Sequence, residues 1–102
     1  MAADEITIRR ITEMEGHLDE CTKTVSGLSA QLDRLEEVLD SMSELFSYYG
    51  SNEWYDDRQE ELPSDLKAGV LSEDLVYDQI TEIRDQAFRM LELATDILKN
   101  RI

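Results

Sequence analysis

Apolar residues recur along the first half of the chain at Ile11, Met14, Leu18, Cys21, Val25, Leu28, Leu32, Leu35, Leu39, Met42, Phe46 and Tyr49. The spacing alternates three and four without a slip, which is the a/d stripe of a heptad helix. The outward positions carry Thr12, Glu13, Asp19, Glu20, Lys23, Asp33, Arg34, Glu37, Asp40 and Glu44, a solvated face. A stripe confined to a and d is narrow and calls for one partner helix. Gly16 and Gly27 stand outside the stripe, where each costs about 1 kcal/mol of helix propensity relative to alanine. The run 22–29, TKTVSGLS, is a weak helix former. The phase nevertheless passes through Gly27 unchanged, and a loop has no reason to keep phase, so one helix over about 4–49 is expected.

A second stripe occupies the end of the chain: Val76, Ile80, Ile83, Ala87, Met90, Ala94 and Ile97, again alternating four and three. Tyr77, Phe88, Leu91 and Leu98 widen it on one side. Ser72 reads as its N-cap, Glu73 and Asp74 fill the first turn, and Leu71 with Val76 forms a hydrophobic staple. Lys99 and Arg101 complement the dipole at the far end. A helix over about 73–100 is expected.

Between the stripes the periodicity stops. Residues 48–78 hold all four tyrosines, the only tryptophan, the only proline and nine carboxylates, against the two cations Arg58 and Lys67. Gly50 reads as a helix stop and Ser51 as the N-cap of a short helix through residues 52–61. Leu62-Pro63 ends that segment, because a residue before proline is pushed out of the helical region. Residues 65–69, DLKAG, read as a single turn ended by glycine.

The expected fold is therefore all-α and a single domain over 1–102. A long N-terminal heptad helix leads through a short helical junction at about 50–71 to a C-terminal helix. That helix folds back as an antiparallel hairpin or coiled coil. The first helix would be roughly 65 Å long and the second about 42 Å, at 1.5 Å per residue. About 20 Å of apolar stripe near residues 11–21 is then left bare. Bare stripes of that kind are covered in soluble proteins, so a homodimer that completes a helical bundle is expected.

Composition narrows the function classes. The 24 acidic and 10 basic residues give a formal charge of −14. Such a chain is repelled by nucleic-acid phosphates and by anionic membrane surfaces, so neither is expected as a partner, whereas a basic protein is. The single Cys21 excludes an intramolecular disulfide and, at a d position, reads as a small buried hydrophobe. The segment MAADEITIRR has no apolar core of a signal peptide, and a cytoplasmic location is expected.

No arrangement carries chemistry well. His17 has Glu13 and Cys21 four residues away on either side, too few ligands of one kind for a metal centre. Asp56, Asp57, Glu60 and Glu61 lack the alternation and mid-loop glycine of a calcium loop. The pairs Glu37/Asp40 and Glu82/Asp85 have the spacing of magnesium ligands in helical nucleotide pyrophosphohydrolases, but both lie off the apolar stripes and face water. No catalytic, cofactor or metal residue is assigned, and the chain is not expected to be an enzyme.

The junction residues Tyr48-Tyr49-Gly50-Ser51, Trp54, Asp57, Leu62-Pro63, Asp65-Leu66-Lys67, Gly69-Val70-Leu71-Ser72-Glu73-Asp74 and Val76-Tyr77-Asp78 resemble a small family of acidic bacterial proteins classified only as a domain of unknown function. Met14-Glu15 and Met90-Leu91-Glu92 look similar as well. The resemblance implies a helical protein and supplies no activity, substrate or cofactor.

The leading expectation is a non-enzymatic protein-interaction or assembly module. Its candidate surface comprises Tyr48, Tyr49, Trp54, Tyr55, Asp57, Asp65 and Lys67, since aromatics are favoured at binding hot spots. The competing account has the same rings merely capping the hairpin. Two other functions have a sequence rationale. An acidic regulator would occupy a basic groove of a nucleic-acid-binding protein or enzyme, and its binding would weaken with salt. A metal-dependent hydrolase would use the outward carboxylates.

Overall fold

The computed structural model describes Ala2 and residues 4–101, and every regular element among them is helical. Helix α1 spans Glu5–Tyr48, α2 spans Asn52–Arg58 and α3 spans Glu73–Asp96. A 3₁₀ turn, Gly69–Leu71, precedes α3, and a π-helical turn, Ile97–Arg101, follows it. The chain divides into two compact units, Met1–Asp40 and Ser41–Ile102.

The first unit is helical through residue 40, with Gly27 inside the helix, so the weak run at 22–29 does not break it. Gly16 and Gly27 both have open space where a Cβ would stand. Asp4 caps the start: its carboxylate accepts the Thr7 N–H at 2.8 Å, and that bond holds its acid below the usual carboxylate range. The six large apolar side chains of the stripe between residues 11 and 32 are 42–59% exposed. Cys21, expected to be buried, is exposed along with them. Near the end of this unit, at Leu35 and Val38, the helix becomes half-buried.

In the second unit the last turns of α1 and the first turns of α3 run antiparallel. Leu45 lines one cleft with Val76 and Gln79; Met42 and Phe46 line the next with Ile83 and Gln86. Moving back along α1 thus means moving forward along α3. The α3 start follows the expected logic, with Ser72 Oγ accepting the Asp74 N–H at 3.3 Å and Glu73 and Asp74 in the first turn. Val76, the staple residue, is 4% exposed, and Ile80 and Ile83 are half-buried. Farther along, the stripe is open, with Phe88, Met90 and Leu91 of α3 and Ile97 and Leu98 of the turn after it all exposed.

Two local expectations are revised. Helix α2 stops at Arg58 instead of continuing to residue 61, because Gln59 and Glu60 donate to Asp56 and Asp57 in tighter turns. Gly69 opens the 3₁₀ turn instead of closing the preceding one; the earlier turn is made by Leu66 N–H on the Pro63 carbonyl at 3.1 Å.

Candidate functional site

The junction is assembled from its caps inward. Gly50 adopts φ 75°, a left-handed conformation that costs a side-chain-bearing residue energy, and so turns the chain out of α1. Ser51 N–H donates to the Tyr48 carbonyl at 2.9 Å, and Ser51 Oγ accepts the Trp54 N–H at 3.2 Å, starting α2. This reversal carries Trp54 against the end of α1.

Trp54 is 2% exposed. Its ring lies 5.0 Å from Tyr49 on one side and 5.0 Å from Tyr55 on another, tilted at 58° and 77°. Inclined pairs of this kind are favoured by the ring quadrupoles. The indole N–H donates to the Val70 carbonyl at 2.9 Å, satisfying the one polar atom a buried tryptophan carries. The Arg58 guanidinium stands 4.5 Å over the same ring, a cation–π arrangement, and its Nη1 reaches Glu73 Oε1 at 3.3 Å. The Tyr49 hydroxyl donates to the Glu73 carbonyl at 2.9 Å. Trp54 therefore ties together the end of α1, α2, the 3₁₀ turn and the first turn of α3.

A second group lies beside this lock. The Tyr48 hydroxyl donates to Asp57 Oδ2 at 2.6 Å. That bond is the main reason the phenol is pushed up to about 12, with partial desolvation and the negative charges of Asp57 and Glu53 adding to it. Tyr48, Asp57 and Lys67 share the wall of a cavity of about 190 Å³ whose apolar surface comes from Leu62, Leu66 and Val70. The cavity holds a side chain more comfortably than a metabolite.

The seven candidate residues thus separate. Tyr48, Asp57 and Lys67 come together at the cavity. Tyr49, Trp54 and Tyr55 form the aromatic cluster, in which Trp54 is interior and Tyr55 remains 56% exposed. Asp65 is exposed in the loop after Pro63. Two further participants, Arg58 and Glu73, are not among the seven. Arg58 stands four residues after Trp54, a spacing that stacks side chains on one helix face, so its cation–π contact has a local signal. The ion pair with Glu73 bridges fifteen residues and has none.

Among the described residues, no three His, Cys, Asp or Glu side chains converge as they would around a metal ion. Glu37 is paired with Arg34 at 3.1 Å and Glu82 accepts from Gln86 at 3.1 Å, both on exposed helix faces. No described helix is long and apolar enough to cross a membrane. In comparison with known proteins, residues 11–93 match a family described as Domain of unknown function (DUF4298), a span that includes the whole first stripe, the whole junction and the second stripe as far as Met90 and Leu91. No curated protein matches the chain.

Proposed function

The chain belongs to the DUF4298 family, a domain of unknown function, and from that premise we propose that it is a non-enzymatic assembly module whose partner is a second copy of itself. The observation that carries this reading is the open stripe of α1 between residues 11 and 32. Its side chains repeat at heptad spacing on a well-formed helix, yet Ile11, Leu18, Val25 and Leu28 are each more than half exposed. Burying a side chain of this size contributes about 1.5–3 kcal/mol. The flanks define the width of the seam. Arg10, His17, Thr24 and Gln31 border it on one side; Glu15, Thr22, Ser29 and Glu36 border it on the other. A polar border on both sides leaves room for one helix, and a second α1 has the matching repeat.

The border changes toward the end of the helix, where Val38 and Leu45 replace polar residues and are half-buried. The stripe is thus wide at Leu45, where α3 lies against it, and narrow where it is open. That change in width supports an intermolecular use for the narrow part. Light scattering over a dilution series tests the reading. The expected mass is twice the 11.8 kDa of one chain, and Leu18→Glu with Leu28→Glu reduces it to one chain while helicity at the junction survives. A single-chain mass for the unaltered protein at every concentration would end this proposal.

A further inference from the structure

The open stripe also specifies a direction. Resting on the self-association just proposed, we infer that the two α1 helices associate parallel and in register, with Arg10 of each copy beside the partner subunit's Glu15. Two features of the described helix converge on that orientation.

The β-branched residues of the open stripe, Ile11 and Val25, both occupy a positions, which they share with Leu18 and Leu32, while Met14, Cys21 and Leu28 occupy d. Branching at Cβ confined to a, with none at d, is the distribution that favours two parallel strands. The flanking charges select the same direction. In a parallel pair a g residue meets the e residue five positions later on its partner, which joins Arg10 to the partner subunit's Glu15 on both edges of the seam. An antiparallel pair sets e beside e and g beside g. The e set here is Glu15, Thr22, Ser29 and Glu36, with no cation; the g set is Arg10, His17, Thr24 and Gln31, with no anion. That arrangement offers no attractive charge pair at any register.

Cysteine pairing in the full chain reads the direction. In a Cys21→Ser background, Met14→Cys oxidises to a disulfide-linked homodimer, as does Leu28→Cys alone, because in-register d positions face their own copies. Cys21 itself is a poor reporter, since it lies near the middle of the stripe, where both orientations bring it close to its copy. Crosslinking only when Met14→Cys protein is mixed with Val25→Cys or Leu32→Cys protein, the a positions that can face Met14 across an antiparallel seam, would establish an antiparallel pair, overturning the inference while leaving self-association intact. A two-chain mass with no crosslink in any combination also overturns it, whereas a one-chain mass removes the underlying proposal. Charge exchange supplies an independent readout. Glu15→Arg raises the dimer dissociation constant roughly fivefold, and adding Arg10→Glu restores it; a double variant as weak as the single one counts against the parallel arrangement.

Discussion

The open stripe of α1 and the junction show opposite relations between pattern and packing. The stripe is the most regular feature of the chain, yet none of its side chains is buried. The junction has no periodicity, yet it contains the most deeply buried side chain described, Trp54, with its hydrogen bond, two ring contacts and a cation above it. Periodicity states that a surface is prepared for a partner, and says nothing about whether that partner lies in the same chain. Burial at the junction depends instead on a turn at Gly50 that swings one large ring onto groups distant in sequence.

This contrast predicts a large difference between two truncations. Trp54→Ala removes the ring on which four segments meet and is expected to cost about 3–5 kcal/mol. Leu18→Ala, on a side chain 57% exposed, is expected to change the stability of the isolated chain by no more than about 0.5 kcal/mol. Urea unfolding followed by far-UV circular dichroism, at protein concentrations below dimer formation, measures both. Comparable losses would mean that the stripe is already packed within one chain. At the junction itself, Arg58→Leu is expected to cost about 0.5–1 kcal/mol, the range of a cation–π contact at a partly exposed site together with an ion pair in which the Glu73 side chain is 69% exposed. An unchanged unfolding midpoint would show that the ring is held by burial alone.

The smallest effect concerns protons. Tyr48 donates to Asp57, so folding favours the protonated phenol. Its contribution to stability is fully present below the ordinary tyrosine value of 10 and is lost as pH rises through about 12. Ultraviolet titration is therefore expected to show one of the four tyrosines ionising late, and Asp57→Asn should return it toward 10. A late tyrosine that persists in that variant would assign the shift to burial instead of to the carboxylate.

Much of the fold is legible in the order of residues alone. The unbroken three-four phase through Gly27 specifies a continuous helix, and Ser51, Ser72 and Gly50 mark starts and stops that the backbone follows. These signals are local: a cap needs only the next few N–H groups, and a stripe needs only one helix. The candidate site is legible in its membership and not in its arrangement. That Tyr48 pairs with Asp57 while Tyr49 reaches the Glu73 carbonyl follows from how α2 reverses on α1, and adjacent tyrosines carry no mark that distinguishes them.

An acidic all-helical chain with two apolar stripes and an aromatic junction follows from the residue order, because helix periodicity and capping are written in near neighbours. Three outcomes required the folded chain: Trp54 faces inward, Arg58 and Glu73 complete its enclosure, and the open part of the stripe extends beyond residue 21 to Leu32. Each depends on which surfaces meet across turns of chain, where a side chain's burial is set by its distant neighbours as much as by its own identity.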